Sequence, residues 1–450
     1  MAKNILIAGA GDVGIHLAKL LSGEDMTITL MDKDGSRMSN LSTNYDILTE
    51  VGSPISLTDL KNAGASDSDL FVAVTPYDSV NLSACIMAHK LGAKKTLARI
   101  DNYEYLLAEQ KEFFRSIGID HLIYPEVLAA QEITDSLKTN WLLNRVTLCD
   151  GALELLTVKV RENASIINKP FKDGAFNHGK YRVVAIKRES QTIIPGGEDQ
   201  IEAGDLVYFI TTPNEVERVR IDAGKESRQI KDITFMGATK ISQKTIQNIQ
   251  EISHLDVNIK VMDADIMNKP ELINKLNNAL LLNIDMRNTD AIREEGIDRT
   301  DAFIAVSESS EANILACLSA QRNGVMKTIA EVENNDYIPL AESLDIAAVI
   351  NKKFIAASYI YQLTLNASVL NVRNLTSADA QLVEFNVNEG SRITHCAIKD
   401  LRLPANVNIG GLVRNGVGMT VNGMTQIMPD DHVIVFCMSS AIRQLEKFFK

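Results

Sequence analysis

The stretch Ile5-Leu6-Ile7-Ala8-Gly9-Ala10-Gly11-Asp12-Val13-Gly14 joins a short apolar run to a G-x-G-x-x-G motif. The apolar run predicts a strand buried on both faces, and Leu17 and Leu21 continue the pattern of an amphipathic helix after it. A second apolar run ends in Asp32, which follows the first glycine of the motif by 23 residues. Strand, glycine turn, helix, strand and acid in this order are the context that the dinucleotide-binding fingerprint requires.

Each glycine of the motif has a physical task in such a fingerprint. Gly9 permits the tight turn, Gly11 lets the backbone approach a pyrophosphate, and Gly14 lets the helix lie close to the sheet. The helix N-terminus offers N–H groups to phosphates, while a carboxylate at Asp32 accepts hydrogen bonds from ribose and favours NAD over NADP. The predicted nucleotide contacts here are Gly9, Ala10, Gly11, Asp12, Val13, Gly14 and Asp32. The alternatives are an ordinary glycine-rich turn and, for Asp32, a turn residue that caps the next helix.

The chain contains the same unit twice. Residues Asp69–Leu106 align without a gap on Asp301–Ile338 at an offset of 232, and 14 of the 38 positions are identical. The match extends outward, where Ala129-Ala130 falls opposite Ala356-Ala357. Such self-similarity over long segments indicates a repeated structural unit, so the 450 residues form two copies of one fold.

Each copy changes in character part of the way along. Its first part alternates short apolar strands with helical patterns, and its second part has short β-branched segments between turns. We therefore predict an α/β protein with two tandem Rossmann-like, doubly wound parallel-sheet domains, each followed by a small α+β lobe, which the family resemblance described below implies to be regulatory. The predicted domains are N-lobe 1 (1–140), C-lobe 1 (141–226), N-lobe 2 (227–365) and C-lobe 2 (366–450), with linkers near 136–145 and 361–372.

The second copy of the fingerprint has lost most of its glycines. It is Gly237-Ala238-Thr239-Lys240-Ile241-Ser242, so a Cβ stands where a pyrophosphate must approach the backbone. Arg99 ends the fifth predicted strand and is able to meet a phosphate, whereas its counterpart in the second copy is Glu331. Asp263 retains a carboxylate for ribose. We expect one competent dinucleotide site, in N-lobe 1, and a weak or altered site in N-lobe 2; the alternative for Arg99 is a solvated surface arginine.

Composition excludes several classes of protein. Hydrophobic residues make up 45% of the chain and the net charge is 46 − 58 = −12, so we expect no nucleic-acid partner. The five cysteines are far apart and form no C-x-x-C pair, which favours a reducing cytosol. No apolar run reaches the ~18–20 residues of a membrane span. These features favour a cytoplasmic protein.

Signals of catalysis are weak. Gly174–Lys180 has the spacing of a P-loop, but Tyr181 replaces the magnesium-binding Ser or Thr, and a strand is expected after it instead of a helix. The seven histidines form no H-E-x-x-H pattern, and G-x-S-x-G does not occur. Asn81 and Asn313 each begin a helical segment, so N-capping is their plainest interpretation. We predict no catalytic residue and no metal site.

The repeated pattern resembles the regulator-of-potassium-conductance family, also called RCK or KTN. The resemblance is carried by Gly9–Gly14, Asp32, Asp69-Leu70-Phe71-Val72-Ala73-Val74-Thr75, Asn81, Ala98-Arg99-Ile100 and Pro125-Glu126-Val127-Leu128-Ala129-Ala130. It covers nearly the whole chain, and it implies that Thr75 lies in a loop near the nucleotide and that Arg99 contacts phosphate. It implies no catalysis. One departure is Gly52-Ser53, where such proteins often carry Gly-Asp on the adenine side.

The resemblance also implies a function and partners. We expect a regulatory subunit that senses NAD(H), or ATP and ADP, and gates a separate potassium-translocating membrane subunit (TrkH/TrkG-like) from the cytoplasmic face of the inner membrane. The resemblance implies a homotetramer in which eight lobes build a ring, with crossover helices at Tyr124–Asp135 and Asn351–Gln362; the alternative is a monomer. The competing function is an NAD-dependent oxidoreductase.

Overall fold

The computed structural model describes residues 3–22, 26–39, 41, 45–172, 176, 179–189, 191–226, 229–252, 257–276, 278–285, 289–344, 346–364, 369–375, 380–404, 406–438 and 441–449. The chain divides into two compact units. Unit 1 comprises Met1–Gln131 with Asn351–Thr364, and unit 2 comprises Glu132–Ile350 with Leu365–Lys450.

Strands and helices alternate regularly in the N-lobes and give way to consecutive strands in the C-lobes. The described strands are β1 (Lys3–Ala8), β2 (Met26–Asp32), β3 (Leu48–Val51), β4 (Leu70–Ala73), β5 (Thr96–Arg99), β6 (His121–Ile123), β7 (Asn144–Leu148), β8 (Leu153–Lys159), β9 (Tyr181–Arg188), β10 (Gln191–Ile193), β11 (Leu206–Thr211), β12 (Asp232–Met236), β13 (Asn258–Met262), β14 (Leu280–Leu282), β15 (Ala302–Ala305), β16 (Lys327–Glu331), β17 (Ala348–Ile350), β18 (Val369–Leu375), β19 (Ala380–Asn386), β20 (Val407–Arg414), β21 (Val417–Thr420) and β22 (His432–Met438). The described α-helices are α1 (Asp12–Leu21), α2 (Leu57–Asn62), α3 (Asp78–Leu91), α4 (Ala108–Ser116), α5 (Pro125–Lys138), α6 (Val216–Asp222), α7 (Lys240–Glu251), α8 (Pro270–Ile273), α9 (Thr289–Glu294), α10 (Ser310–Arg322), α11 (Ile338–Ser343), α12 (Lys352–Thr364) and α13 (Ile442–Phe449).

Both N-lobes contain a parallel sheet of six described strands. The order is β3-β2-β1-β4-β5-β6 in N-lobe 1 and β14-β13-β12-β15-β16-β17 in N-lobe 2. Neighbouring strands run parallel, as where Ile5 pairs with Ile28 on one side and Leu70 on the other. The order reverses beside β1 and beside β12, and folds of this kind bind ligands in the crevice at that point, outside the carboxyl ends of the strands. The predicted Rossmann-like fold is confirmed.

The apolar runs form strands because helices cover both faces of each sheet. Ile7, Phe71 and Val72 in the centre of the first sheet have no exposed surface. Helix α1 turns Leu17 and Leu21 inward, and both are fully buried, as their helical spacing predicted. Among the described residues, no helix combines the length and the apolar composition that crossing a membrane requires.

Each C-lobe contains an antiparallel sheet of five described strands. The strand orders are β10-β9-β11-β8-β7 and β18-β19-β22-β20-β21. Within unit 2 the two sheets share one apolar core, in which Leu155 and Tyr208 of the first sheet join Leu382 and Phe436 of the second. The rings of Tyr208 and Phe436 lie 5.7 Å apart between centroids. The predicted small α+β lobes are therefore present, and each buries one face of its sheet.

Each unit includes a crossover helix from the opposite copy. Helix α12 belongs to the second copy and packs along α1 in unit 1, where Phe354 lies edge-on to His16 with ring centroids 4.1 Å apart. The carboxyl-terminal part of α5 belongs to the first copy and lies in unit 2, where Thr134 accepts a 3.5 Å hydrogen bond from Asn248 of α7. The two segments that the sequence suggested as crossover helices are thus helical, and each completes a unit begun by the other copy.

The predicted linkers are wrong in extent. Helix α5 continues to Lys138 and β7 begins at Asn144, so residues 139–143 connect these elements instead of 136–145. In the second copy α12 continues to Thr364 and β18 begins at Val369, inside the predicted linker 361–372. Strands β7, β10, β18 and β21 carry no strong alternating pattern and were not predicted. The domain boundaries at 140/141 and 365/366 stay predictions.

Candidate functional site

The glycine turn after β1 is geometrically demanding. Gly9 has a φ of +115°, which side chains rarely adopt, and a Cβ on it would lie 3.0 Å from the backbone N of Thr75. A Cβ on Gly14 would lie 1.9 Å from the Gly9 carbonyl oxygen, so α1 begins in direct contact with the turn. By contrast, nothing lies within 4 Å of a Cβ placed on Gly11. The backbone at Gly11 is therefore open to close approach by a ligand.

The amino terminus of α1 lies beside this opening. Gly11 is its N-cap, and no side chain caps the helix. The first N–H groups of a helix lack internal partners and carry partial positive charge. Asp12 in the first turn pairs with Lys353 of α12, with 2.6 Å between Oδ2 and Nζ. The terminus has the chemistry of an anion site, with a carboxylate and an ammonium at its edge.

Asp32 lies at the end of β2 and is tied to the glycine turn. Its Oδ2 accepts a 2.6 Å hydrogen bond from the N–H of Ala10, and its Oδ1 accepts a 2.9 Å bond from the N–H of Asp34. The side chain is half-buried, and a carboxylate oxygen has the lone pairs to accept a second hydrogen bond. Asp32 therefore fixes the turn and retains acceptor capacity for a hydroxyl pair.

Asn81 links the loop after β4 to the end of β5. Its Oδ1 accepts from the N–H of Thr75 at 2.9 Å and from the Thr75 hydroxyl at 2.7 Å, while its Nδ2 donates to the carbonyls of Thr75 and Arg99 at 2.9 Å. Asn81 is fully buried inside α3, whose N-cap is Tyr77. The N-capping interpretation of Asn81 is wrong, because the amide is satisfied by two strand ends and not by its own helix.

The second copy repeats this arrangement. Asn313 accepts from the N–H of Ser307 at 3.0 Å and donates to the carbonyl of Glu331 at 2.9 Å, and the N-cap of α10 is Ser309. N-capping is therefore wrong for Asn313 as well. The shared amide bridge explains why an asparagine stands at the same place in both copies.

Arg99 is half-buried at the carboxyl end of β5. Among the described residues, none accepts a hydrogen bond from its guanidinium or forms an ion pair with it. Burial raises the pKa of the nearby Tyr124 hydroxyl, as do the carboxylates of Glu126, Asp101 and Asp78, while the Arg99 charge opposes them. A guanidinium with five donors at this edge is available to an anionic ligand.

The second cleft is closed by its own side chains. Gly237 keeps the left-handed turn, with φ +100°. Thr239 caps α7 by accepting from the N–H of Ser242 at 3.3 Å, and the Ser242 hydroxyl accepts from the N–H of Thr239 at 2.8 Å. This capping box satisfies two N–H groups of the kind that stay uncapped by side chains in α1.

Asp263 also has an internal partner. Its Oδ2 accepts from the N–H of Ala238 at 2.7 Å and from Lys269 Nζ at 2.7 Å, and Lys269 Nζ also lies 3.3 Å from the Ala238 carbonyl oxygen. Burial acts to raise the pKa of Asp263, but the Lys269 ammonium and the backbone donors outweigh burial and lower the pKa. Glu331, opposite Arg99 in the repeat, is buried. Asp263, the carboxylate at the ribose position of the second cleft, is therefore already paired with the Lys269 ammonium.

The structure brings one set of predicted residues together and leaves one apart. Gly9–Gly14, Asp32, Thr75 and Arg99 lie around the carboxyl ends of β1, β2, β4 and β5, whereas Asp263 lies at the corresponding place in the second sheet. Sequence reasoning missed three residues, which are Asn81 as a bridge, Lys269 and Lys353. The identity of Asn81 and Asn313 in the repeat was a signal for the first. No motif marks the two lysines, since Lys353 pairs with Asp12, 341 residues away, and Lys269 pairs with Asp263 only through the turn after β13.

Two weaker predictions concern catalysis and metals. Of the P-loop-like segment, Gly174, Ala175, Asn177 and His178 lie outside the described residues, and Tyr181 begins strand β9, as expected. Within the part of the chain that the structure describes, no group of three or more His, Cys, Asp or Glu side chains is arranged to hold a metal ion. Ser53, the departure on the adenine side, donates its N–H to Asp59 at 2.8 Å, so a carboxylate lies there from a different position.

Comparison with known proteins agrees with this architecture. The TrkA-N domain matches residues 5–125 and 233–352, and the TrkA-C domain matches 155–220 and 382–450. The Trk system potassium uptake protein TrkA of Haemophilus influenzae is 30% identical over 457 residues, covering 99% of this chain and 98% of that protein. The GsuK RCK domain matches in structure with a TM-score of 0.62 at 13% identity, covering 100% of this chain and 95% of that chain. The GsuK channel bound to NAD matches with the same TM-score and identity, covering 100% and 79%. The chain belongs to the TrkA family and carries its TrkA-N and TrkA-C domains twice in tandem.

Proposed function

We propose that this protein is a nucleotide-sensing regulatory subunit that gates a potassium-translocating membrane subunit of the TrkH/TrkG kind. Two facts about similar proteins support the proposal. The Haemophilus influenzae relative is named as a potassium uptake protein of the Trk system, and the GsuK channel shares the fold in a structure described as bound to NAD. The subunit acts by binding and not by catalysis.

The contrast between the two N-lobe clefts carries the proposal. In N-lobe 1 the open backbone at Gly11 and the uncapped start of α1 suit a pyrophosphate, Asp32 suits ribose hydroxyls, and Arg99 suits a phosphate. Thr75 lies on the loop that Asn81 holds beside the turn. The ligands that fit are NAD(H) and, through the same phosphate and ribose groups, ATP or ADP.

N-lobe 2 serves as a structural counterpart with little or no nucleotide affinity. Its capping box takes up N–H groups at the start of α7, Lys269 neutralises Asp263, and Glu331 places a carboxylate where Arg99 stands in the first lobe. A nucleotide would have to displace the ammonium and approach a negative charge. One nucleotide per chain follows.

Gating is a matter of relative affinity. A nucleotide shifts the equilibrium between two forms of an assembly only by the difference between its affinities for them. A phosphate that draws the start of α1 and the Arg99 strand together provides such a difference. We place the protein as a homotetramer, peripheral on the cytoplasmic face of the inner membrane, with the potassium path in the partner subunit and without a nucleic-acid partner.

Titration calorimetry with NADH, NAD, ATP and ADP, paired with potassium flux measured with and without this protein, tests the proposal. Arg99→Glu copies the second repeat, and we expect it to abolish the nucleotide dependence of flux while the assembly and its docking persist. Glu331→Gln, which alters the second cleft alone, is the matched control and should leave the nucleotide response unchanged. A response in Arg99→Glu equal to that of the parent would show that the signal enters elsewhere.

The oxidoreductase alternative has its own test. Sustained, substrate-dependent formation of NADH across common alcohols, hydroxy acids and amino acids would refute the regulatory proposal. We expect binding of the nucleotide without turnover.

A further inference from the structure

A side chain from the second copy reaches the edge of the first nucleotide cleft. Lys353 lies in the first turn of α12, and its Nζ is 2.6 Å from Asp12 Oδ2. Asp12 directly follows Gly11, the open position of the glycine turn, and begins α1. A phosphate bound to the first N–H groups of α1 would therefore lie next to the Asp12 carboxylate and close to the Lys353 ammonium.

The burial of the pair is unequal. The Lys353 side chain is 20% exposed, whereas the Asp12 side chain is 73% exposed. The next residue, Phe354, packs edge-on against His16 of α1. Burial lowers the pKa of His16 to about 4, with the Lys19 charge adding to the effect, so this ring is neutral at pH 7. The Lys353 side chain is thus largely buried next to a neutral ring pair, whereas the Asp12 carboxylate faces solvent.

The location of Lys353 has an electrostatic cost. A cation in the first turn of a helix opposes the helix dipole, which favours anions there. Asn351 caps α12 by accepting from the N–H groups of Lys353 and Phe354, both at 3.0 Å, so the helix has its own N-terminal cap without the lysine. Capping of α12 therefore does not require the lysine side chain, which adds positive charge beside Asp12.

The repeat gives an independent comparison. With Ala129-Ala130 opposite Ala356-Ala357, the offset is 227, and Lys353 falls opposite Glu126. The sign of the charge at the start of the crossover helix is therefore reversed between the copies, as it is between Arg99 and Glu331. Both Lys353 and Glu126 lie in unit 1, and Lys353 is the one that forms an ion pair with Asp12 at the start of α1, beside the uncapped helix terminus.

We propose that Lys353 is a phosphate-recognition residue of the N-lobe 1 nucleotide site, supplied by the second copy of the chain. This rests on the proposed nucleotide binding. Its positive charge offsets the Asp12 carboxylate, and an ammonium is a hydrogen-bond donor that suits a phosphate oxygen. Without it, Asp12 would repel the phosphate. A nucleotide phosphate bound in the cleft would then contact α12 directly, and α12 is the helix that precedes C-lobe 2 in the chain.

NADH titration calorimetry of the full chain tests the assignment, with adenosine as a probe that lacks phosphate. We expect Lys353→Met to weaken NADH by about ten- to a hundredfold, the range of a lost charge-assisted hydrogen bond, and to change adenosine affinity by less than about twofold. Lys353→Arg should retain most of the affinity. Lys352→Met removes the same charge from the neighbouring position and should bind NADH like the parent.

The variant Asp12→Asn distinguishes phosphate recognition by Lys353 from a purely structural ion pair between α12 and α1. If Lys353 recognises phosphate, removal of the competing carboxylate tightens NADH binding, and it rescues part of the loss in the Lys353→Met background. If the pair only clamps α12 to α1, Asp12→Asn weakens binding as Lys353→Met does, and the assignment is wrong. This arm decides the question even where Lys353→Met fails to fold, which thermal melting reports.

The remaining outcomes are also distinct. A parent protein that binds no NADH overturns the proposed function itself. A parent that binds NADH, with Lys353→Met within twofold of it, overturns the assignment of Lys353 and leaves the proposed function standing. Equal losses of NADH and adenosine in Lys353→Met would mean a collapsed cleft, which also overturns the assignment.

Discussion

Asp32 and Asp263 hold the same position in the two copies, but their surroundings differ. Both accept the N–H of the alanine in the glycine turn, at 2.6 Å and 2.7 Å. Asp263 in addition holds Lys269, whereas Met38, six residues beyond Asp32 as Lys269 is beyond Asp263, is a buried apolar residue. Among the described residues, Asp263 thus has a cationic partner and Asp32 has none.

Replacement of these two acids should separate binding from structure. We expect Asp32→Ala to weaken NAD(H) by about 1.5–3 kcal/mol, because charge-assisted hydrogen bonds to ribose are lost. Asp263→Ala, the matched control, should change affinity much less. Calorimetry measures both, and equal losses would contradict the asymmetry of the two clefts.

Lys327 gives a residue-scale prediction about pH. Its side chain is fully buried, its Nζ donates to the Leu142 carbonyl at 2.6 Å, and burial, with the Lys225 charge, lowers its pKa to about 7 from 10.5. The unfolded chain therefore binds more protons than the folded chain between pH 7 and 10.5, so this group makes stability rise with pH across that window. Below pH 7 the folded chain buries the charged ammonium, and the loss of stability from Lys327 is at its largest.

Lys327→Met should remove this dependence. We expect the melting temperature of the variant minus that of the parent to be more positive at pH 6 than at pH 9. At pH 6 the folded parent buries a charged ammonium, which the methionine avoids, and at pH 9 the buried amine is mostly neutral. The lost bond to Leu142 lowers stability at every pH and cancels in this difference. Lys95, its counterpart in the first copy, is exposed, and Lys95→Met should show no such trend. A pH-independent difference for Lys327→Met would contradict the argument.

At the scale of elements, Asn81 and Asn313 each join a helix to two strand ends. Removal of either amide leaves a buried backbone N–H and carbonyls without partners, each costing about 1–3 kcal/mol. We expect Asn81→Ala and Asn313→Ala to lower the free energy of unfolding alike, while Asn81→Ala alone weakens nucleotide binding through Thr75 and Arg99. Chemical denaturation and calorimetry on the same samples measure the two effects. Equal effects of both variants on binding would place the site outside this bridge.

The sequence predicted the elements whose residues carry a pattern and missed those whose conformation depends on pairing with another segment. The β1–α1–β2 unit follows from local spacing, and the repeat transfers it to the second copy. The edge strands β7 and β18 take their conformation from pairing with β8 and β19, which no local pattern reveals. The internal pairing of Asp263 with Lys269 likewise depends on the fold around the turn after β13. The difference between Arg99 and Glu331 is visible in the sequence, but the absence of a partner for the Arg99 guanidinium among the described residues needed the structure.

At the scale of the whole molecule, the assembly is testable by mass. We expect a ring of four chains, so that light scattering returns 4 × 49.5 = 198 kDa at micromolar concentration. A species of 49.5 kDa under these conditions would refute the ring and favour a monomer in which the two copies pair only with each other. Measurement with and without NADH shows whether the nucleotide alters assembly or only its shape.

The exchange of crossover helices has a consequence for biosynthesis. Unit 1 is begun by residues up to Gln131 and completed by a helix that ends at Thr364, 364 − 131 = 233 residues later. At translation speeds of ~5–20 residues per second, the ribosome needs about 12–47 s to supply that helix. During this interval the face of α1 around His16 is not yet covered by α12, so this apolar surface of the nascent chain is exposed to other partners. The first lobe made is therefore among the last to be finished, and cellular chaperones have a defined interval and a defined surface on which to act.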